Sequence, residues 1–261
     1  MSEKWKPDCF IRFTTEDFSG PGCIIDGMAY RIFDGNFFGD YKIGDMAYSL
    51  DDINFLPPCV PQKIVCVGLN YEDHLSESTV SEIPDEPILF FKPLSSMIGH
   101  LDNIVIPDWV NRVDYEGELA VVIGKVLKNA SLDESAEGIF GYTCLNDVTA
   151  RNIQKKDLQW TRAKGFDSFC PIGPVIKTGI DGTSLDITTH LNGKVVQQSN
   201  TRMLIKKPAE LISYISKVMT LYPGDIISTG TSKGAGPLAE GDVVEVTIEG
   251  IGTLKNFVVA G

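Results

Sequence analysis

The sequence predicts a mixed α+β fold that is mostly β. Short apolar runs, roughly four to eight residues long, recur along the chain between Gly, Asp, Asn or Pro residues, as is typical of strands. Only one segment has clear helical periodicity, and strands do not alternate with helices in the manner of parallel βαβ units. With 261 residues, 43% of them hydrophobic, the chain can form one large domain or a large domain beside a small one.

Residues 1–60 are predicted to form a small N-terminal β-rich subdomain. Apolar and polar runs alternate there, with turn-forming residues at Ser19-Gly20-Pro21-Gly22 and Asp34-Gly35-Asn36. The predicted boundary is Leu56-Pro57-Pro58-Cys59-Val60-Pro61, because proline cannot donate a ladder hydrogen bond inside a paired central strand. Residues 61–261 then form the larger, second domain.

Strand-like runs dominate this second domain. Asn192-Gly193 suits a two-residue hairpin turn, and residues 241–259 have the pattern of another hairpin. The one clear helix has Pro208 at a favourable first position, followed by apolar residues at helical spacing. Those apolar residues are Leu211, Ile212, Ile215, Val218 and Met219. The candidate strands are 63–69, 88–91, 119–123, 139–145, 185–192, 195–198 and 226–229.

The composition argues against a nucleic-acid partner and against a membrane partner. The net charge is −12, and no cluster of Lys and Arg stands out. The first residues lack the apolar core of a secretory signal, and no apolar run reaches the length that spans a bilayer. The six cysteines are scattered without a Cys-x-x-Cys pair, which indicates reduced, buried thiols. We therefore expect a cytoplasmic location, and a mitochondrial location is the alternative.

Two acidic residues at the head of an apolar run form the most informative feature. Glu116 and Glu118 stand two residues apart before Leu119-Ala120-Val121-Val122-Ile123, so in a strand both point to one face. Asp147 follows another strand-like run. Because ionised carboxylates are rarely buried unless paired or bound to metal, the pattern indicates either a solvated strand end or ligands for a hard cation such as Mg²⁺ or Mn²⁺.

Other polar residues allow both a functional and an ordinary interpretation. His74 and Glu77 are one helical turn apart, so they form either a carboxylate–imidazole dyad or a chance surface pair. Arg151 and Gln154 follow Asp147 by four and seven residues, which would place all three on one side of a helix. Lys164 is, on its own, most simply a solvated surface lysine. The segment Thr229 to Gly236 lacks the Gly-x-x-x-x-Gly-Lys pattern of a nucleotide-binding loop.

Over residues 61–261 the chain resembles the fumarylacetoacetate hydrolase family, in the branch of acylpyruvate hydrolases, oxaloacetate decarboxylases and hydroxyheptadienedioate isomerases. Each matching segment is a weak pattern alone, but six in the right order make a strong one. The segments are Ile64 to Glu77, Leu89-Phe90-Phe91-Lys92-Pro93, Asp114 to Gly124, Asn146 to Gln154, Ala163-Lys164-Gly165-Phe166-Asp167 and Pro223 to Thr231. The resemblance implies a mixed β-sandwich roll as the catalytic domain, usually assembled as a homodimer.

The resemblance also implies roles for individual residues. Glu116, Glu118 and Asp147 correspond to metal ligands for Mg²⁺ or Mn²⁺. His74, supported by Glu77, corresponds to the base, and Lys164 to the active-site lysine that offsets negative charge. The residues that correspond to substrate contacts are Arg151, Gln154 and Thr231.

Three departures from the family pattern stand out. Asn152 replaces a usual Asp, and Ser232 replaces a frequent Pro. Arg202-Met203-Leu204 stands where relatives often carry Ser-Asp-Met, which affects the expected pocket shape or specificity.

The resemblance implies a metal-dependent enzyme that acts on small β-keto or acylpyruvate-type carboxylic acids. The metal would act as a Lewis acid for the enolate, and the reaction would be C–C bond hydrolysis or decarboxylation. An isomerase or tautomerase of enolisable dicarboxylates is the alternative, because the same residues support it. A non-catalytic metal-binding family member and an unrelated β-rich binding protein are further alternatives.

Overall fold

The computed structural model describes residues 7–72 and 85–261. Within them lie twenty β-strands, four α-helices and three short 3₁₀ turns. The strands are β1 Cys9–Thr14, β2 Ser19–Ile25, β3 Met28–Phe33, β4 Lys42–Ser49, β5 Asn54–Leu56, β6 Ile64–Gly68, β7 Ile88–Lys92, β8 Met97–Ile98, β9 Asn103–Ile106, β10 Val113–Tyr115, β11 Gly117–Ile123, β12 Ile139–Asn146, β13 Thr149–Ala150, β14 Cys170–Lys177, β15 Asp186–Leu191, β16 Lys194–Asn200, β17 Ile226–Thr231, β18 Gly236–Leu238, β19 Val243–Ile248 and β20 Gly252–Ala260. The helices are α1 Leu132–Glu137, α2 Arg151–Lys156, α3 Thr161–Lys164 and α4 Pro208–Val218, and the 3₁₀ turns are Leu50–Asp52, Leu94–Ser96 and Thr201–Met203.

A twelve-stranded sheet forms the centre of the molecule. Its main path runs β4-β3-β2-β1-β14-β12-β11-β17-β6-β7, with β5 paired to β1 and β8 paired to β14. The N-terminal strands enter this sheet through the β1–β14 pair, so they continue the sheet of the larger domain. The sheet is mixed, because β17 pairs parallel to β6 while most other neighbours are antiparallel.

Strand β11 is apolar from Leu119 to Ile123, and its burial on both faces explains this pattern. Leu119, Val121 and Ile123 point into one core cluster, and Ala120 and Val122 point into a second. Successive strand residues face opposite sides, so a strand covered on both faces is apolar at every position. Helix α4 closes the first of these cores, where it packs the side chains of Leu211, Ile212 and Ile215.

Two smaller sheets complete the fold. One has the order β13-β10-β18 and the other has the order β16-β15-β19-β20-β9. Strands β10 and β11 belong to different sheets although only Glu116 separates them, so the chain passes from one sheet to another at this residue.

The structure confirms the predicted mostly β fold. Each candidate strand corresponds to an observed one, from β6 to β17, and β19 with β20 forms the predicted C-terminal hairpin. The helix that begins at Pro208 is also present, but Val218 is 61% exposed and Met219 lies beyond the last helical residue. The boundary between residues 1–60 and 61–261 stays a prediction. Within the described ranges, no helix has the length and apolar character needed to cross a membrane.

Candidate active site

Three strand ends bring the predicted ligands together. Glu116 lies between β10 and β11, Glu118 is the second residue of β11, and Asp147 directly follows β12. The Glu116 amide donates to Asn146 Oδ1 at 2.9 Å, and the Asp147 amide donates to the Glu116 carbonyl at 2.8 Å. These two bonds hold the backbones of Glu116 and Asp147 close together. In each bond the donor is a backbone amide that lies outside the strand ladders.

The three carboxylates are buried, so the solvated strand end is excluded. Glu116, Glu118 and Asp147 are 5%, 2% and 1% exposed, and one oxygen from each lies within 4.8 Å of the other two. Buried charges at this spacing repel one another unless cations or hydrogen-bond donors stabilise them. The neighbours of each carboxylate therefore determine what the cluster can bind.

Lys164 is the cation at the centre of the cluster. Its Nζ donates to Glu116 Oε2 at 2.7 Å and to Asp147 Oδ2 at 2.6 Å, and the residue is only 2% exposed. The interpretation as a solvated surface lysine is therefore wrong. An ammonium group has three donors, and two are used here. Since Lys164 also lines the cavity described below, its third donor is available to a bound molecule.

Arg151 holds the outer side of Glu116. Its guanidinium donates to Glu116 Oε1 at 2.5 Å, to Asp114 Oδ2 at 2.9 Å and to Gln154 Oε1 at 2.7 Å. Arg151 and Gln154 thus share a face of α2, as expected. Asp147 does not belong to that helix, because α2 begins at Arg151 and the preceding residues form β13. The prediction that a single helix carries all three is wrong.

Lys92 and Asp114 are charged residues of the cluster to which the sequence analysis gave no role. Lys92 ends β7, and its fully buried Nζ donates to Asp147 Oδ1 at 2.5 Å and to the Val148 carbonyl at 3.2 Å. Asp114, 1% exposed, accepts from both Arg112 and Arg151. The signal for Lys92 was its position at the end of an apolar strand, where a charged residue needs a buried partner.

Glu118 has neutral partners in place of cations. The Ser228 hydroxyl donates to its Oε2 at 2.5 Å, and the Gly230 amide donates to the same oxygen at 2.9 Å. Within the described part of the chain, Oε1 carries no hydrogen bond. Of the three carboxylates, Glu118 therefore has the oxygen that is most available to a ligand.

The charges of Glu116 and Glu118 are stabilised very differently. Burial opposes the charge of Glu116, but Lys164 and Arg151 outweigh it and lower its pKa to about 2. Burial raises the pKa of Glu118 to about 8, reinforced by the negative charges of Asp147 and Glu116. Burial also opposes the charge of Lys164, yet Asp147 and Glu116 raise the pKa of its ammonium group. The cluster thus contains two ion-paired carboxylates, Glu116 and Asp147, beside Glu118, which has no ion pair among the described residues.

The oxygen ligands fit a hard divalent cation. Carboxylate oxygens are the donors that Mg²⁺ and Mn²⁺ prefer, and three of them converge here from rigid strand ends. A cation near Glu118 would supply the positive charge that this carboxylate lacks. Glu116, Glu118 and Asp147 are the residues that would hold it.

A cavity of about 460 Å³ opens beside the carboxylates. Its polar wall includes Glu116, Glu118, Asp147, Arg151, Gln154, Lys164 and Thr231, and its apolar wall includes Val67, Leu69, Phe90 and Trp160. The rings of Phe90 and Trp160 pack edge to face at 5.2 Å between centroids. Gly68 lies under the indole, where an added Cβ would be 2.7 Å from the Trp160 ring. The cavity thus combines a charged floor with an aromatic side.

Thr231 lines the cavity, but its hydroxyl proton is already in use. Its Oγ1 donates to the Gly117 carbonyl at 3.0 Å and accepts from Gln197 Nε2 at 2.9 Å. A hydroxyl has one proton to donate, so Thr231 cannot also donate it to a substrate carboxylate without breaking the bond to Gly117. The predicted base His74 and its partner Glu77 lie outside the described residues.

The chain is similar to known proteins over most of its length. The fumarylacetoacetate (FAA) hydrolase C-terminal family matches residues 63–259. An uncharacterized protein of Archaeoglobus fulgidus is 52% identical over 237 residues, which is 88% of this chain and 92% of that protein. The mitochondrial oxaloacetate tautomerase FAHD2A of Bos taurus is 43% identical over 221 residues, 80% of this chain and 70% of that protein.

Two solved structures extend the comparison. The 2-hydroxyhepta-2,4-diene-1,7-dioate isomerase of Mycobacterium marinum superposes with a TM-score of 0.90 at 40% identity, covering 97% of this chain and 98% of its own. Maleylpyruvate hydrolase of Sphingobium sp. SYK-6, in complex with manganese(II) and pyruvate, gives a TM-score of 0.80 at 27% identity and covers 97% and 99%. The relatives therefore include a tautomerase, an isomerase and a hydrolase, and one of them binds a divalent metal. The chain belongs to the fumarylacetoacetate hydrolase family.

Proposed function

We propose that the protein is a Mg²⁺- or Mn²⁺-dependent enzyme that enolises small 2-oxo dicarboxylates of the oxaloacetate type. The observation that carries the proposal is the placement of Lys164 Nζ, 2.7 Å from Glu116 and 2.6 Å from Asp147, at the edge of the cavity. A carboxylate cluster that includes a lysine ammonium group at the cavity wall can hold a metal and still present a positive donor to a substrate oxygen. This is the requirement for stabilising an enolate.

The formal charges around the cluster favour an anionic substrate with two charges. The carboxylates of Asp114, Glu116, Glu118 and Asp147 face the cations of Lys92, Arg112, Arg151 and Lys164. With all four carboxylates ionised, as a cation bound beside Glu118 would favour, four negative charges meet four positive ones, and the divalent cation would add two positive charges. A dianion restores neutrality, whereas a neutral substrate leaves a buried excess of positive charge.

The chain and the metal have separate tasks in this proposal. When bound, Mg²⁺ or Mn²⁺ would polarise the keto group of the substrate as a Lewis acid. Lys164 directs its third N–H to the oxygen on which negative charge develops. Arg151 keeps Glu116 ionised and in place through the bond at 2.5 Å. Phe90 and Trp160 exclude water from one side of the cavity, which strengthens these interactions.

Lys155 is our candidate for binding the second carboxylate of the substrate. Among the basic residues that line the cavity, it alone has no carboxylate partner within the described part of the chain. It follows Arg151 by four residues on α2, so these two side chains share a face of the helix. An exposed, unpaired ammonium group at the cavity mouth can recognise a distal carboxylate without rearranging the buried ion pairs.

Tautomerisation is the preferred reaction, and C–C hydrolysis or decarboxylation is the second candidate. The relatives at 42% to 43% identity over 80% of this chain are oxaloacetate tautomerases, which supports the first. The Sphingobium maleylpyruvate hydrolase supports the second. The described residues that line the cavity include no histidine, and the family resemblance assigns the role of base to His74.

A substrate panel tests the proposal. The purified protein is supplied with Mg²⁺ or Mn²⁺, or treated with chelator, and assayed with oxaloacetate, an acylpyruvate, a fumarylacetoacetate-like diketone and a hydroxymuconate-type diene. Ultraviolet absorbance follows the enol form, and NMR assigns the products. We expect metal-dependent enol–keto exchange of oxaloacetate that is faster than pyruvate formation. Predominant cleavage products would favour the second candidate, and no metal-dependent turnover of any compound would refute both.

Lys155→Met tests the assigned substrate orientation. We expect KM for oxaloacetate to rise while KM for a monoanionic acylpyruvate changes little, because only the dianion has a second carboxylate. Lys156→Met is the matched control, since Lys156 is the next exposed lysine of α2 and does not line the cavity. Equal effects of the two substitutions on oxaloacetate would contradict the assignment.

A further inference from the structure

Gln197 is a buried side chain of the five-stranded sheet. It hydrogen-bonds to Gly117, between two of the carboxylates, and to Thr231 and Ser232 at the end of β17. It lies in β16, is 3% exposed, and uses its full hydrogen-bonding capacity. Its Oε1 accepts from the Gly117 amide at 3.0 Å and from the Thr189 hydroxyl at 2.9 Å. Its Nε2 donates to Thr231 Oγ1 at 2.9 Å and to the Ser232 carbonyl at 3.1 Å.

These bonds form a closed ring around one residue. Gly117 stands between Glu116 and Glu118, and its amide donates to Gln197. Its carbonyl accepts from the Thr231 hydroxyl, which in turn accepts from Gln197. Both peptide groups of Gly117 are therefore held by the same pair of side chains. The relative orientation of the two neighbouring carboxylates depends on these peptide groups.

Close packing makes this ring specific to glycine. An added Cβ at Gly117 would lie 2.2 Å from Thr189 Oγ1 and 3.4 Å from Gln197 Oε1. Thr189 and Gln197 are direct partners across the β15–β16 pair, so they face Gly117 from one side of the five-stranded sheet. Any side chain at position 117 would separate that sheet from β11.

We propose that Gln197 is a positioning residue for the metal site. It sets the Glu116-Gly117-Glu118 backbone against the Thr231 wall, so that the carboxylates are arranged before a cation binds. This inference rests on the proposed metal-dependent function. It concerns a residue that contacts neither the cation nor the substrate, and it acts through the orientation of the ligands.

The direction of the hydrogen bonds distinguishes a positioning role of Gln197 from simple packing. A side chain that only fills space needs no particular arrangement of donors and acceptors. Gln197 presents its acceptor to the N–H of Gly117 and its donors to Thr231 and Ser232. A side chain of similar volume without the amide preserves the packing and removes the ring. Gln197→Met is therefore the informative change.

The first experiment measures Mn²⁺ binding by titration calorimetry, together with the thermal unfolding midpoint. We expect Gln197→Met to weaken Mn²⁺ binding by about 10- to 100-fold, as for loss of a residue that orients metal ligands. Gln198→Met is the matched control, because Gln198 is the exposed neighbour on the same strand, and its Mn²⁺ affinity should equal that of the wild type. Unchanged Mn²⁺ affinity in folded Gln197→Met would overturn the inference.

Thr231→Val provides a second test that applies even if Gln197→Met folds poorly, and a double-mutant cycle then combines the two changes. Thr231→Val removes the hydroxyl that completes the ring. It should weaken Mn²⁺ binding by itself, and adding Gln197→Met should cost much less than the sum of the single changes. Additive losses, or no loss in Thr231→Val, would contradict a shared ring. If the wild type binds no Mn²⁺, the proposed function fails; if it binds and the variants bind equally, only this inference fails.

Discussion

The two sides of the carboxylate cluster are built on different principles. On the side that we call the cation flank, Lys92, Lys164 and Arg151 hold Asp147 and Glu116 through ion pairs of 2.5 to 2.7 Å. On the side that we call the neutral flank, the Ser228 hydroxyl and the Gly230 amide hold Glu118. Two carboxylates that are two residues apart consequently have pKa values displaced in opposite directions, to about 2 and about 8.

This difference shows that proximity in the sequence does not determine how the charge of a carboxylate is stabilised. Glu116 is neutralised by the chain itself, so its ionisation does not require a metal. Glu118 has burial and two negative neighbours against it, and a divalent cation would relieve both. Under the proposed function, we therefore expect the cation flank to contribute mainly to stability and substrate charge balance, and the neutral flank mainly to metal binding.

The largest expected effect comes from the ligands themselves. Glu116→Gln, Glu118→Gln and Asp147→Asn should each abolish metal-dependent turnover, and chelator should do the same in the wild type until Mg²⁺ or Mn²⁺ is restored. The flanks should differ in stability without metal. Loss of a carboxylate from the cation flank breaks two buried ion pairs and should cost about 3 kcal/mol or more, whereas Glu118→Gln replaces a carboxylate that has no ion pair in the described part of the chain.

Calorimetric or chemical unfolding of the metal-free variants checks this difference. The melting temperature should fall in Glu116→Gln and Asp147→Asn and stay level or rise in Glu118→Gln. An equal loss in all three would show that the two flanks are energetically alike.

The next effect concerns the cation that faces the substrate. Lys164→Met keeps the chain length and removes the charge, so we expect kcat to fall by about 10²- to 10³-fold, as for loss of a donor to a developing oxyanion. Steady-state kinetics at saturating Mn²⁺ provides the measurement. A rise in KM with kcat unchanged would assign Lys164 to ground-state binding. If neither parameter changed, its role in charge stabilisation would be wrong.

Lys92 should affect stability more than chemistry. It is fully buried behind Asp147 and does not line the cavity, so Lys92→Met should lower the free energy of unfolding by about 3 kcal/mol. Urea unfolding measures this change. Lys125→Met is the control, because the Lys125–Glu137 pair is exposed and 3.4 Å long and should contribute little. Equal stabilities of the two variants would exclude an important buried pair at Lys92.

The smallest effect should come from the neutral flank. Ser228→Ala removes one of the two donors to Glu118 Oε2 and leaves the Gly230 amide in place. We expect Mn²⁺ affinity to fall by about tenfold, the lower end of the effect of a residue that supports a metal ligand, with little change in thermal stability. A large loss of stability without a change in affinity would place Ser228 in the structural core only.

Much of this site could be predicted because its signals are local. The Glu-x-Glu spacing before an apolar run identified two neighbouring carboxylates, although only Glu118 lies in a strand and Glu116 lies in the break between β10 and β11. The ordered family segments identified Asp147 and Lys164. The apolar runs predicted most strands, since periodicity within a strand requires no knowledge of its partners. The cytoplasmic location and the homodimer stay predictions.

The parts that the sequence did not reveal depend on distant partners. Lys92 contacts Asp147 across 55 residues, and Gln197 contacts Gly117 across 80 residues. Neither contact has a local pattern, because strand order brings these residues together. The error about Asp147 had a similar origin. The four-residue spacing from Asp147 to Arg151 suggested a helix, whereas the β10–β13 pair holds Thr149 and Ala150 in extended conformation. The dyad of His74 and Glu77 stays a prediction.

The long separation of the neutral flank from Glu118 has a consequence for biosynthesis. Ser228 and Gly230 reach Glu118 across 110 and 112 residues, so β17 must be in place before this carboxylate is supported. Contacts of such high sequence separation form late, because a long loop must close first. A nascent chain that ends before β17 therefore has Glu116, Glu118 and Asp147 but no complete site. Tight Mn²⁺ binding would then report that synthesis and folding of the sheet are finished, and a chain truncated at residue 225 should lack it.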